Sequence, residues 1–145
     1  MAYLDTSLLA AYYCPEPLSE QVEELILQDP DPVISQLSEV ELFSAVARKI
    51  REGNLLAGDG EKIVRLYRHH VESLNLYRTL TVEPEHFRQA GSWICRFNLS
   101  LRTLDALHLA VSVSEGLALF TADRKLAVAA EKLGLDVVCV SQDKG

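Results

Sequence analysis

The sequence predicts an α/β fold in which helices cover both faces of a parallel sheet. Short apolar segments that end in acidic or turn-forming residues alternate with longer segments whose apolar residues recur at helical spacing. No two predicted strands are joined by a loop of hairpin length, so helical crossovers connect them and neighbouring strands run parallel. With 145 residues, the chain is predicted to form one domain over positions 1–145.

The N-terminal half is predicted to contain two strands and four helices. The first strand ends at Asp5, Pro15 stops the first helix, and a turn at residues 29–32 precedes the second strand. Gly53 separates the third helix from a fourth with apolar residues at helical spacing. In chain order these elements are strand 2–5, helix 6–13, helix 18–28, strand 32–35, helix 38–51 and helix 58–76.

The C-terminal half is predicted to contain three strands and three helices. The helix that starts near Thr103 carries two apolar stripes, so most of its circumference should be buried, and Asp105 is its first acid. Gly116 and Asp123 bound a short apolar strand, and Gly134 caps the last helix. In chain order these elements are strand 78–82, helix 84–97, helix 103–115, strand 117–120, helix 123–133 and strand 137–140.

Composition excludes several classes of protein. Hydrophobic residues make up 48% of the chain, which is typical of a globular protein, and the formal net charge is −7. No apolar run approaches the ~18 residues that span a membrane, and the N-terminus has no basic signal-peptide segment. Three cysteines without a CxxC pair (Cys14, Cys95 and Cys139) are interpreted as buried thiols in a reducing, cytoplasmic environment. The negative charge argues against broad attraction to nucleic acid but allows a local basic patch.

Four acids follow strands or begin helices at corresponding places. All strand exits of a parallel sheet face one edge, so these carboxylates are expected to converge there and to repel one another. Mg²⁺ or Mn²⁺ prefers oxygen ligands and would relieve that repulsion. The four predicted metal ligands are Asp5, Glu41, Asp105 and Asp123.

Each acid also has a simpler interpretation as a helix cap. Asp5 and Asp123 could cap the helices that follow them, Asp105 could favour the helix dipole, and Glu41 completes a Ser-x-x-Glu capping box with Ser38. Glu39 competes with Glu41 for the second position. Glu41 is preferred because Val40 and Leu42 flank it as inward-facing positions, although helical geometry leaves the choice open.

The four acids lie in four segments that follow in this order along the chain: YLDTSLLAAYY, ISQLSEVELFSA, LRTLDALHLAVSV and LFTADRKLAVAAEKLG. These segments resemble the signature blocks of PIN domains, and most closely those of VapC-type toxin ribonucleases from toxin–antitoxin pairs. The resemblance implies a three-layer α/β/α fold with a five-stranded parallel sheet, a homodimer, and an antitoxin that blocks the site. It also implies that Asp5, Glu41, Asp105 and Asp123 form an acidic quartet supported by Ser7 and Thr121.

The predicted function is therefore a metal-dependent endoribonuclease, in which a metal-activated water hydrolyses RNA phosphodiesters. Ser7, Arg102 and Thr121 are candidates for positioning the phosphate. One alternative is a PIN-like module that binds protein and cleaves nothing. A phosphatase with Asp5 as nucleophile ranks lower, because such enzymes usually carry Asp-x-Asp and position 7 is Ser.

His108 lies one turn after Asp105 and has two interpretations. It could act as a general base, but a hydrogen-bonded core histidine is the favoured one. The densest basic region, which includes Arg48, Arg65 and Arg68, is interpreted as a solvated helix face. Four aromatic residues are assigned to the core or to a dimer interface rather than to base stacking: Tyr12, Tyr13, Trp93 and Phe97.

Overall fold

Residues 1–141, the part that the computed structural model describes, form one sheet of five parallel strands. The strand order is β3-β2-β1-β4-β5, and every neighbouring pair is parallel. The predicted five-stranded parallel sheet is thus confirmed. The strands are β1 (Ala2–Leu4), β2 (Pro32–Ser35), β3 (Arg78–Leu80), β4 (Ala118–Thr121) and β5 (Val137–Cys139).

Seven α-helices in the same part of the chain connect and cover these strands. The fourth continues into a π-helical turn at His69–Ser73. No helix within residues 1–141 is both long and apolar enough to cross a membrane. The helices are α1 (Thr6–Tyr13), α2 (Ser19–Gln28), α3 (Gln36–Arg51), α4 (Ala57–Arg68), α5 (Pro84–Ile94), α6 (Thr103–Ser114) and α7 (Arg124–Lys132).

The sheet separates two apolar cores, because successive side chains of a strand point to opposite faces. In β1, Ala2 and Leu4 belong to the core that α1, α2, α3 and α4 cover, whereas Tyr3 belongs to the core covered by α5, α6 and α7. The predicted three-layer α/β/α arrangement is confirmed. Helix α6 is buried from Ala106 through Ser112, as its apolar stripes predicted.

The sheet order changes direction between β1 and β4. The chain adds β2 and β3 on one side of β1, then returns to place β4 and β5 on the other side. At such a switch point the crossovers leave in opposite directions, and ligands bind in the resulting crevice at the carboxyl ends of the strands. Asp5 follows β1 and Thr121 ends β4, so both lie at this point.

Helix α3 begins two residues earlier than predicted. Ser35 and Ser38 form a reciprocal capping box, in which the side chain of each accepts a hydrogen bond from the backbone N–H of the other. Glu41 therefore lies in the second turn, and its predicted part in a capping box with Ser38 is wrong.

Three further expectations are corrected. The fourth helical segment ends at Ser73 rather than at residue 76, and Asn75 follows with φ of 48°. Helix α5 ends at Ile94 rather than at residue 97, and Phe97 has φ of 57°, outside the helical region. Of the three cysteines, all free, only Cys14 is buried.

Candidate active site

All four predicted acids line one cleft of about 730 Å³ at the carboxyl edge of the sheet. The predicted positioning residues Ser7 and Arg102 line it as well, whereas Thr121 is fully buried behind Asp5. The structure thus brings the acids together, and their assignment as metal ligands stays a prediction.

Asp5 is held by two hydroxyl groups rather than by a helix cap. It occupies the N-cap position of α1, yet its side chain makes no capping hydrogen bond within residues 1–141. Its Oδ2 accepts hydrogen bonds from Ser7 Oγ at 2.7 Å and Thr121 Oγ1 at 2.8 Å. Because both hydrogen bonds are at least partly shielded from solvent, they hold the carboxylate in a fixed position at the cleft.

The same two hydroxyls also hold the turn between β4 and α7. Ser7 Oγ accepts from the backbone N–H of Ala122, and Thr121 Oγ1 accepts from that of Asp123, both at 2.9 Å. Each hydroxyl therefore donates to Asp5 and accepts from this turn, which ties the exit of β1 to the exit of β4.

Asp123 is a true helix cap that also lines the cleft. Its Oδ1 accepts hydrogen bonds from the backbone N–H groups of Lys125 and Leu126, at 2.9 and 3.4 Å. The capping interpretation is correct here, and it is compatible with a second contact through the other carboxylate oxygen.

Glu41 faces the cleft and Glu39 does not line it. Thr6 Oγ1 donates to Glu41 Oε1 at 3.2 Å, and the same oxygen makes a short hydrogen bond with His108 Nε2. The preference for Glu41 is consistent with the structure, but its stated reason is wrong, because Val40 is 68% exposed rather than inward-facing.

His108 is completely buried and both ring nitrogens are hydrogen-bonded, as expected for a core histidine. Burial lowers the pKa of the imidazole, but the hydrogen bond with Glu41 and the charges of Asp5, Glu41 and Asp105 outweigh burial and raise it. His108 therefore joins the protein core to the acidic cleft.

Asp105 is the acid whose ionisation the site disfavours most clearly. It is the third residue of α6, and its side chain is 22% exposed. Burial, followed by the charges of Asp5 and Asp123, raises the pKa of this carboxyl from 3.8 to about 6, and the attraction of Arg102 and His108 only partly offsets them. Arg102 Nε lies 3.9 Å from Asp105 Oδ2.

Sequence reasoning missed three polar residues of the site. Thr6 donates a hydrogen bond to Glu41, Tyr3 is hydrogen-bonded to His108, and Arg48 lines the cleft instead of belonging only to a solvated face. The signal for Arg48 was its spacing from Glu41, seven residues along the same helix, which places both on one face. No local feature of the sequence indicates a role for Tyr3, which occupies an ordinary strand position between two apolar residues.

The other basic and aromatic residues lie away from the acids. Arg65 and Arg68 border a second, apolar groove of about 560 Å³ between α3 and α4. Tyr13 and Trp93 are buried in the two cores as predicted, whereas Phe97 is 90% exposed.

The donor set of the cleft suits a hard divalent cation. Within residues 1–141 no three carboxylate, histidine or cysteine side chains are close enough to ligate one ion together. Mg²⁺ is commonly held by one or two carboxylates, with waters and substrate phosphate as the remaining ligands. Burial, followed by the charges of Asp5 and Asp123, raises the pKa of Asp105, and a cation in the cleft would favour the ionised form of this carboxyl.

Comparisons with known proteins agree with this fold. A family model described as PIN domain matches residues 2–132. Comparison with curated protein sequences finds no significant match. Solved structures with a similar fold include Mycobacterium tuberculosis VapC20, described as a sarcin-ricin loop cleaving toxin, at 18% identity and a TM-score of 0.70, covering 89% of this chain and 95% of that one.

Two further solved structures with a similar fold come from other bacteria. A toxin–antitoxin complex from Klebsiella pneumoniae is 17% identical with a TM-score of 0.69, covering 99% of this chain and 100% of that one. FitAcB from Neisseria gonorrhoeae is 23% identical with a TM-score of 0.65, covering 94% of this chain and 96% of that one. At these identities the likeness concerns the fold alone.

Proposed function

Since the chain belongs to the PIN domain family, as its motifs predicted, we propose that it is a metal-dependent endoribonuclease and the toxin of a toxin–antitoxin pair. The observation that carries the proposal is the convergence of Asp5, Glu41, Asp105 and Asp123 on one cleft at the switch point of the sheet. If the acids served only as helix caps, four acids from four separate segments would have no reason to line one cavity.

The proposed substrate is the RNA phosphodiester. Arg48 and Arg102 line the cleft beside the acids, so cationic donors for phosphate oxygens are present in a chain whose net charge is negative. The described activity of the Mycobacterium tuberculosis structure, cleavage of the sarcin-ricin loop, supports RNA as the substrate class. Ser7 keeps its hydroxyl at the cleft, whereas Thr121 acts through Asp5.

Asp5 and Asp105 are the proposed principal ligands of Mg²⁺ or Mn²⁺, with Glu41 and Asp123 completing the site directly or through water. When bound, the cation would lower the pKa of the attacking water and stabilise charge on the phosphate oxygens. The chain's own groups orient that chemistry. Ser7 and Thr121 fix Asp5, the α7 backbone fixes Asp123, and the cationic side chains hold the phosphate.

The test is cleavage of a fluorogenic single-stranded RNA by partner-free protein with Mg²⁺ or Mn²⁺. EDTA, Asp5→Asn and Asp105→Asn should each abolish cleavage, while Asp59→Asn, on the exposed start of α4, should leave it unchanged. RNA that stays intact with wild type and either metal would favour the alternative of a non-catalytic PIN-like binding module. Cleavage that survives both Asn variants would locate the activity elsewhere.

The proposed partner protein is an antitoxin that inserts a Lys or Arg side chain between Asp5 and Asp105. A charge-assisted contact there would compete with the cation, and the acidic balance of this chain favours a basic partner. The Klebsiella pneumoniae structure is itself a toxin–antitoxin complex. A co-purified complex should bind Mn²⁺ more weakly than the free chain, and equal affinity would contradict this mode of inhibition.

A homodimer is the proposed assembly. Phe97 and Phe87 are large, exposed aromatic side chains at and just beyond α5, which a second copy would cover. Light scattering should give twice the chain mass, and Phe97→Glu should shift the protein toward the monomer. A monomeric wild type at micromolar concentration would refute the assignment.

A further inference from the structure

Buried polar side chains from β2, β1 and α6 form a chain of hydrogen bonds that ends on Glu41. Ser35 Oγ lies 2.7 Å from the Tyr3 hydroxyl, and the same hydroxyl lies 2.6 Å from His108 Nδ1. His108 Nε2 in turn makes the short hydrogen bond with Glu41 Oε1. Ser35, Tyr3 and His108 are all inaccessible to solvent, and only Glu41 reaches the cleft.

The donors and acceptors of this chain fix the direction of its last bond. A carboxylate only accepts, so His108 Nε2 carries a proton and donates to Glu41. With a neutral imidazole, Nδ1 accepts from Tyr3, whose oxygen accepts from Ser35. With a charged imidazole those two bonds reverse, yet the bond to Glu41 stays the same. Ser35 is anchored by the backbone N–H of Ser38, in the first turn of the helix that carries Glu41.

We propose that His108, held in place by Tyr3 and Ser35, is a positioning residue that fixes the Glu41 carboxylate for cation binding. The inference rests on the proposed function and extends it to a residue outside the acidic quartet. Glu41 has three side-chain torsions to restrain, and its other hydrogen bond among residues 1–141 is the longer one from Thr6 at 3.2 Å. Asp5 and Asp123 have their own pairs of donors, so His108 gives Glu41 the equivalent support.

Packing alone does not account for an imidazole at this position. The neighbours of His108 on α6, Leu107 and Leu109, are buried and apolar, and a leucine would fill a similar volume. A buried imidazole is desolvated, and that cost is offset only when both nitrogens are hydrogen-bonded. Here one bond connects to the core and the other to the cleft.

Two amide variants separate the two bonds. The amide nitrogen of Gln lies as far along the side chain as Nε2 of His, so His108→Gln retains a donor for Glu41 and loses the contact with Tyr3. The amide of Asn lies level with Nδ1, so His108→Asn retains the contact with Tyr3 and loses Glu41. Both variants bury one polar amide, which makes them a matched pair.

The readouts are Mn²⁺ affinity by calorimetry and the separate kcat and KM for RNA cleavage. Loss of a group that orients a metal ligand typically weakens metal affinity or activity by about 10–100-fold. His108→Asn should show that loss in Mn²⁺ affinity and kcat, with KM unchanged, while His108→Gln, which keeps the donor to Glu41 but loses the anchor at Tyr3, should lose less than His108→Asn. Tyr3→Phe, which leaves the imidazole unanchored, should lose an intermediate amount.

His86→Asn is the control for removing a buried histidine elsewhere. His86 lies on α5, accepts a hydrogen bond from the backbone N–H of Glu83 and pairs with Ser114, outside the cleft. This variant should melt at a lower temperature and bind Mn²⁺ like wild type. A merely structural His108 would make Mn²⁺ affinity equal in the Gln and Asn variants.

The possible failures are distinguishable. Wild type that binds Mn²⁺ and cuts RNA, beside a His108→Asn protein that does both equally well, would overturn the positioning inference alone. Wild type that does neither would overturn the proposed function, and the inference with it. If His108→Asn does not fold, Tyr3→Phe decides, and unchanged Mn²⁺ affinity in that variant overturns the inference.

Discussion

Replacing Asp105 with Asn should stabilise the metal-free protein, in contrast to the usual effect of removing an acid from a helix start. An acid in the first turn favours the helix dipole, so its loss normally costs about 0.3–1 kcal/mol. At Asp105 burial and the charges of Asp5 and Asp123 act in the other direction, and they raise the pKa of the carboxyl from 3.8 to about 6. Asn keeps the shape and removes the charge.

The magnitude follows from the pKa. At 1.36 kcal/mol per pH unit, a rise from 3.8 to about 6 means that the ionised carboxyl costs the folded state up to about 3 kcal/mol above pH 6. The folded state holds the proton more tightly than the unfolded chain, so wild-type stability falls as pH rises from about 4 to above 6. Asp105→Asn lacks this loss. After subtraction of the dipole term, its advantage should be about 1–3 kcal/mol at pH 8 and near zero at pH 4.

Thermal unfolding in EDTA between pH 4 and pH 8 measures this difference. A gain of 1–3 kcal/mol corresponds to about 3–9 °C in Tm for a domain of this size. Asp59→Asn is the matched control, because Asp59 is also the third residue of a helix and also has a basic residue three positions away, Lys62, at 3.9 Å. Its side chain is well exposed, so its loss should be neutral or slightly destabilising.

Added metal provides a further check on the role of Asp105, and two results would contradict the prediction. Excess Mn²⁺ should raise the Tm of wild type and leave Asp105→Asn almost unchanged. If both Asn variants melt at or below wild type at pH 8 in EDTA, Asp105 is an ordinary helix-start acid. A difference between Asp105→Asn and wild type that does not change with pH would also reject the crowding of carboxylates as its cause.

Three further predictions follow from other contacts. Thr121→Val should lower the free energy of unfolding by about 1–3 kcal/mol, because Asp5 loses a buried donor; unchanged urea unfolding would contradict that bond. Burial and His69 lower the pKa of His70, so wild type should lose stability relative to His70→Gln as pH falls below 6.5, whereas parallel curves at pH 7.5 and 5.5 would refute it. Arg48→Ala should raise KM for RNA and reduce the salt dependence of binding by about one phosphate contact, unlike Arg88→Ala on the outer face of the fold.

The fold was predictable because each strand and helix carries its own local signal. Acids after β1 and β4 could be placed at one sheet edge from the parallel crossovers alone. What each acid does there could not be predicted locally. Asp5 and Asp123 both follow a strand and precede a helix, yet only Asp123 caps. Asp5 is instead held by Thr121, which is 116 residues away in the chain.

The start of α3 shows how overlapping local signals compete. Ser38 and Glu41 have the spacing of a capping box, and Ser35 and Ser38 form the box that is used. Ser35 prevails because it directly ends β2, which fixes where the chain can begin to turn. The preference for Glu41 over Glu39 stays a prediction that is consistent with the lining of the cleft, whereas Val40, assumed to face inward, is exposed.

The acids of the cleft are held in place in two different ways, either by their own helix or by residues on other elements. Asp123 is fixed by the first turn of its own helix, so a short segment suffices to form that cap. Asp5 and Glu41 are fixed by partners on other elements, so their positions exist only when β1, β4 and α6 are packed together. A cation held mainly by such residues would bind the folded domain and not its fragments, and its binding energy would add to the stability of the whole fold. Metal affinity should therefore respond to substitutions at Tyr3 and Thr121, although neither residue lines the cleft.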